Sequence, residues 1–258
     1  MEGTLGLVLP AFRPELEVLS DYVEAVRAEL GPDRIRIELD APQPGVVDRL
    51  EELEVTVSVS ERRRGKGAAI TDGYETLETD VLAFADADGS TPADSMADVV
   101  EPIRAGEAAL AVGSRRHPDA EVLSHQTLVR RRLGDAFAAT ARLLIEPNLY
   151  DYQCGAKAIS AAAWAQVRSH LYEPDFAWDI ELIAMAAAFD LPIAEVPITW
   201  RDHPGSTVSP IRTSVGLART LLAARHRAKL QRNGTVHTVL DRLSEAQPAL
   251  VDRPRGGS

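Results

Sequence analysis

The chain has 258 residues, 45% hydrophobic and 26% charged, a composition that excludes a disordered, collagen-like or coiled-coil protein and suits one large α/β domain or two small ones. With 28 Lys+Arg against 39 Asp+Glu the formal charge is -11, which disfavours whole-molecule attraction to nucleic acid. Three of the cations are lysines, Lys66, Lys157 and Lys229; an acidic, lysine-poor surface is the halophilic kind, expected of a protein soluble in concentrated salt. The single cysteine, Cys154, excludes an internal disulfide and a thiolate metal cluster.

Short hydrophobic runs predict buried strands at Thr4–Leu9, Ile35–Leu39, Val55–Val59, Val81–Ala85 and Ala108–Val112. Between them, apolar residues at helical spacing predict helices over Pro14–Leu30, Lys66–Leu77 and Pro92–Ala105, with Pro14 and Pro92 where a first helical turn accepts proline. The start reads as a strand and not as a signal peptide, and no apolar stretch approaches the ~18 residues of a membrane span. Alternating strands and helices imply an α/β fold with a mostly parallel central sheet and helices on both faces. Further on come a long helical stretch Leu123–Ile145, a polar strand-like segment Tyr150–Ile159, Ala-rich helices at Ala161–Val167 and Trp178–Phe189, a strand Ile193–Ile198 and a helix Val215–Gln231. One domain is expected over residues 1–232, followed at 233–258 by a C-terminal helix and a disordered tail after Leu250.

In such sheets ligands gather beyond the carboxyl ends of the strands. In FADADGSTP, Asp86 and Asp88 close a buried strand and Gly89 turns the chain; two carboxylates one residue apart can share a hard cation that also binds a diphosphate. The plainer reading is a turn in which one of them caps the helix near Pro92. In ERRRGKGAAITDG, Arg62, Arg63, Arg64 and Lys66 with Gly65 and Gly67 open a helix and predict an anion site, although the spacing is not that of a P-loop. Arg115 and Arg130–Arg132 are candidate phosphate binders, with a solvated helix face as the alternative for the latter. Asp151 lies in DYQCGAK, and Asp179 and Glu181 open a helix that they would cap in the plainer reading. Six histidines without H-E-x-x-H, and Ser206 outside G-x-S-x-G, disfavour a zinc or serine hydrolase.

Taken in order, LPAFRPE, ERRRGKGAA, FADADGS, VGSRR, DYQCGAK, FAWDIEL and EVPITWRDHPGS resemble the family 2 inverting glycosyltransferases across about residues 4–210. The nearest branch is that of the polyprenyl-phosphate sugar synthases, dolichyl-phosphate glucosyltransferase and dolichyl-phosphate mannose synthase. The resemblance implies a GT-A fold and transfer of a hexose, with inversion, from a nucleotide-diphosphate sugar (UDP-glucose type or GDP-mannose) to a polyprenyl or dolichyl phosphate for protein glycosylation. It implies a cytoplasmic enzyme in peripheral contact with the membrane.

Carried over by residue, Pro10, Phe12 and Glu15 would line the base, and Asp40 and Lys66 would lie beside the nucleoside. Asp86, Ala87 and Asp88 would sit at the diphosphate, with Asp86 and Asp88 holding Mg²⁺ or Mn²⁺, and Arg115 and Arg131 would hold the acceptor phosphate. A phosphomonoester is already largely a dianion at pH 7, so Asp151 and Asp179 are expected to orient groups and not to accept a proton. The sequence departs from the family at Leu39-Asp40-Ala41-Pro42, at Gly155-Ala156, and at Thr207, where a lysine is usual and where Arg201, His203 or Arg212 are candidate substitutes. The basic, apolar segment Ser214–Arg232 suits either an anionic bilayer surface or packing on the sheet. Two other readings stand beside this one: a sugar-nucleotide nucleotidyltransferase, whose glycine-rich loop would occupy the place of LPAFRPE, and a non-catalytic module of the same fold.

Overall fold

A computed structural model describes residues 3–123, 140–142, 144–201, 221, 223–231 and 248–253. Seven strands form one sheet in the order β3-β2-β1-β4-β7-β5-β8: β1 (Leu5–Phe12), β2 (Arg34–Asp40), β3 (Thr56–Ser60), β4 (Val81–Ala85), β5 (Leu110–Ser114), β7 (Ala156–Ser160) and β8 (Ile193–Pro197). All neighbours are parallel except β7, which runs antiparallel between β4 and β5. Two short strands, β6 (Glu121–Val122) and β9 (Thr199–Trp200), pair separately.

Alternation along β1 builds the two cores. Leu5, Leu7 and Leu9 pack beneath α1 (Leu16–Leu30) and α4 (Ala93–Arg104), while Val8 faces Tyr74 of α3 (Lys66–Tyr74), Trp164 of α5 (Ala161–Val167) and Trp178 of α6 (Trp178–Ala188). A short helix α2 (Val46–Glu51), which the pattern did not predict, covers the sheet near β3. On α1 the buried residues Leu19, Tyr22, Val23, Val26 and Leu30 recur at helical spacing, and Gly31 ends the helix in the left-handed region at φ 54°.

The polar segment Tyr150–Ile159 is strand only from Ala156 onward; before it, Asp151 accepts from the N–H of Gln153 and the chain bends. Residues 248–253 dock on the domain, the N–H of Leu250 donating to the carbonyl of Leu171 and Arg253 to that of Tyr172, so the tail expected to be disordered after Leu250 is ordered at least to Arg253. The helical residues 223–231 lie against the core as well. Leu221 and Ala224 are buried, and Arg227 pairs with Glu181. For this part of the segment, packing on the domain is what the structure shows. Most of the stretch predicted as a helix at Leu123–Ile145 lies outside the described residues. Among those residues no helix is long and apolar enough to cross a membrane.

Candidate active site

The parallel strands β1, β2, β3 and β4 deliver Pro10–Phe12, Asp40, Ser60 and Asp86 to one edge of the sheet. Antiparallel β7 begins at that same edge, so Asp151–Gly155 meets the Asp86 turn across a gap of some 65 residues in sequence. The N–H of Asp86 donates to the carbonyl of Gly155 at 2.9 Å. A Cβ on Gly155 would lie 1.8 Å from Oδ2 of Asp86. Only glycine lets that carboxylate lie against the backbone of the neighbouring strand.

Asp86 is about a third exposed (35%) and Asp88 is exposed. Oδ1 of Asp88 accepts from the N–H of Ser90 at 3.0 Å, which closes the turn; α4 itself starts after Pro92 without a side-chain cap. Burial, offset by Lys66 and reinforced by Asp88, raises the Asp86 carboxyl above its ordinary value. The ring of Tyr22 packs under this turn, 3.5 Å from where a Cβ of Gly89 would be, and its buried hydroxyl has no hydrogen-bond partner among the described residues.

Lys66 reaches the same carboxylate, Nζ lying 2.8 Å from Oδ1 of Asp86 and 3.6 Å from Oδ2 of Asp179. Asp179 does not cap α6. It is 3% exposed, and Lys157, fully buried on β7, holds its other oxygen at 2.6 Å while also donating to the carbonyl of Cys154 at 2.7 Å. Both ammonium groups lie over the ring of Phe84. Glu181 accepts from the N–H groups of Tyr172 and Glu173 and pairs with Arg227; it braces the preceding loop instead of satisfying the helix start.

The arginine-rich loop differs from the open anion cradle that its glycines suggest. Arg64 turns inward onto Glu38, Asp40 and Asp72 at 2.8–2.9 Å. Oδ2 of Asp40 accepts from the N–H groups of Arg64 and Gly65, and the N–H of Ala68 donates to the carbonyl of Pro174. The chain's own groups therefore fill the start of α3. Asp40 organises this loop and does not present a free carboxylate. Arg63 remains outside, its guanidinium 4.4 Å from the centre of the Phe12 ring. Pro10 is half-buried beside Phe12, and Glu15 is the exposed residue before α1.

On the other side of the turn, Arg115 grips Asp151 through Nε at 2.7 Å and Nη2 at 3.1 Å, and lies against Trp200. Burial would push the Asp151 carboxyl up, but the charge and hydrogen bonds of Arg115 outweigh it and bring the carboxyl from its ordinary 3.8 down to about 2. The pair therefore supplies stability that is complete above about pH 4 and is lost as the pH falls towards 2, worth roughly 2 kcal/mol. Urea melts of wild type and Asp151→Asn should show a stability gap at pH 6 that narrows by about that amount on acidification; a constant gap would contradict the pairing. Arg131, His203, Thr207 and Arg212 lie outside the described residues.

Sequence reasoning missed the buried Lys157 and the inward Arg64. Their signals were a lysine inside a strand pattern and an arginine two residues before a glycine-flanked lysine, and neither identifies a partner. Among the described residues no three His, Cys, Asp or Glu side chains converge to hold a metal; the acidic pair is the candidate donor set.

Residues 7–164 match the profile described as Glycosyl transferase family 2. Glycosyltransferase AglD of Haloferax volcanii is 27% identical over 228 residues, 84% of this chain and 36% of that protein. Mouse dolichyl-phosphate beta-glucosyltransferase is 31% identical over 183 residues, 67% of this chain and 55% of that protein. The chain thus spans about half or less of the length of these curated relatives. Glucosyl-3-phosphoglycerate synthase of Mycobacterium tuberculosis, solved with Mn²⁺, UDP and glucosyl-3-phosphoglycerate, superposes with TM-score 0.65 at 19% identity over 86% of this chain and 80% of that one. Mannosyl-3-phosphoglycerate synthase of Rubrobacter xylanophilus gives TM-score 0.68 at 14% identity over 90% and 76%. These two share the fold, that of GT-A glycosyltransferases.

Proposed function

The chain belongs to glycosyl transferase family 2, and on that premise we propose that it moves a hexose, with inversion, from a nucleotide-diphosphate sugar to a polyprenyl phosphate of the dolichyl type. The observation that carries this reading is the Asp86–Asp88 turn at the tip of β4, its first carboxylate laid on Gly155 and already facing a cation, the ammonium of Lys66. The names of the relatives support the lipid acceptor, and the neighbour solved with UDP and Mn²⁺ supports the donor and the ion.

The donor set fits a hard divalent ion: carboxylate oxygens, partly exposed, two residues apart in the turn that ends β4. Asp86 and Asp88 would hold Mg²⁺ or Mn²⁺ there, and the chemistry supplied is screening of the diphosphate as it departs. The chain's own residues do the rest. Phe12 and Arg63 offer a stacked surface for the base at the end of β1, with Pro10 and Glu15 beside it, and Asp40 holds the loop that carries Lys66. Asp179, bound between two lysines, orients Lys66, and Asp151 orients Arg115; neither is placed to take a proton, and a phosphate dianion needs none taken. Arg115 and Arg131 bring the acceptor anion towards the sugar against the repulsion of a second phosphate group. A lipid acceptor and a nucleotide-sugar donor together would put the reaction at the cytoplasmic face of a membrane.

Radiolabelled sugar from UDP-glucose or GDP-mannose should appear in a short polyprenyl phosphate, with the opposite anomeric configuration to the donor. A protein that binds the donor yet transfers nothing would instead be a non-catalytic module. Release of diphosphate from a nucleoside triphosphate and a sugar phosphate would indicate a nucleotidyltransferase. For Arg131→Ala the expected result is a KM for lipid phosphate raised about tenfold with nucleotide affinity unchanged. An unaltered acceptor dependence would remove that residue from the site.

A further inference from the structure

Lys157, Asp179, Lys66 and Asp86 form a row in which positive and negative charges alternate. Lys157 is fully buried and bonded to one oxygen of Asp179 at 2.6 Å. Lys66 stands between the remaining oxygen of Asp179 at 3.6 Å and Oδ1 of Asp86 at 2.8 Å. The two carboxylates differ sharply in access, Asp179 being 3% exposed and Asp86 35%. The row is neutral as it stands.

A divalent ion on Asp86 would break that balance, because an ammonium and a dication on one carboxylate repel each other strongly at a partly buried site. Lys66 has a second carboxylate already within ion-pair range, so it need not be driven into an apolar wall. Lys157 does not follow, since its fully buried ammonium is held by Asp179 at 2.6 Å and by the carbonyl of Cys154 at 2.7 Å.

We propose that Lys66 is the resident counter-ion of this site, holding Asp86 until a divalent cation arrives and then exchanging that carboxylate for Asp179, which Lys157, as a positioning residue, keeps aimed to receive it. The inference rests on the reading of Asp86 and Asp88 as the cation-binding pair. It adds that cation entry is an exchange of partners within the protein.

Mn²⁺ uptake by the full chain without nucleotide, read from the free-ion EPR signal, tests it. Lys66→Met should bind Mn²⁺ about tenfold more tightly than wild type, since the competing charge is gone. The field alone would give that result, so a second variant separates the two. Lys157→Met with Asp179→Asn leaves the local charge unchanged but removes the receiving carboxylate, and should bind Mn²⁺ roughly three- to tenfold more weakly.

The wild-type protein supplies a measurement independent of any variant's folding. It contains three lysines, so ¹⁵N-lysine labelling gives three side-chain signals, and ¹³C-labelled aspartate makes their carboxyl partners visible. Saturating Mg²⁺ should abolish the through-hydrogen-bond coupling of Lys66 Nζ to the Asp86 carboxyl carbon and create one to that of Asp179, with Lys229 unmoved. Persistence of the Asp86 coupling, or Mn²⁺ affinity of the double variant equal to wild type, overturns the exchange. If wild type takes up no Mn²⁺, or Asp88→Asn binds it equally well, the underlying metal reading fails instead.

Discussion

Asp88→Ala is expected to lower sugar transfer by about three orders of magnitude, the scale on which losing charge stabilisation at a departing group acts. The side chain is exposed and makes one local bond, to the N–H of Ser90, so thermal stability should change by no more than about 1 kcal/mol. Asp88→Asn separates the two things this residue does. Its amide oxygen can still accept from Ser90 and keep the turn, but it brings no negative charge. A turn-former would tolerate asparagine, whereas a cation ligand would not, so the expectation is that the asparagine variant folds as wild type and transfers as poorly as the alanine variant. Wild-type rates in either variant, measured with Mn²⁺ present, would remove the acidic pair from the mechanism.

The second large effect is expected at a residue that touches no substrate. In Gly155→Ala the new methyl group would overlap the Asp86 carboxylate, at 1.8 Å from Oδ2 and 2.2 Å from Cγ, and the two backbones cannot separate because the Asp86 N–H is bonded to the Gly155 carbonyl. The carboxylate must rotate away, and with it the bond to Lys66. Overpacking of this kind costs about 1–3 kcal/mol, so the protein should still fold while Mn²⁺ affinity and transfer fall together, roughly a hundredfold. Folded protein with unchanged Mn²⁺ affinity would show that the position of Asp86 against the strand does not matter.

Where hydrophobicity and chain punctuation set an element, the sequence predicted it closely. Val81–Ala85 and Ala161–Val167 have the predicted bounds, since a wholly buried strand reads as an unbroken apolar run and Ser160 caps the helix after it through a bond to the Ala163 N–H. The acidic turn after β4 was legible for the same reason. The direction of β7 was not. An apolar strand looks alike running either way, and nothing local says that Ala156–Ser160 enters between β4 and β5. Electrostatic pairing was least legible. Asp40 precedes its partner Arg64 by 24 residues and Lys157 precedes Asp179 by 22, so a carboxylate that looked free and another that looked like a helix cap both proved to be held by cations from other elements.

The reversed strand also fixes how far the molecule can be divided. A polypeptide stopping before residue 150 would contain both acidic residues of the β4 turn, yet it would leave β4 with an open edge and take both neighbours, β7 and β8, from β5, exposing backbone donors and acceptors that are a template for clumping, and Asp86 would lack its glycine floor. Residues 1–149 are therefore not expected to fold as a separate unit. The smallest fragment with a finished sheet centre must reach Ser160, and a chain nicked in the preceding loop should regain its shape only when the two pieces fold together.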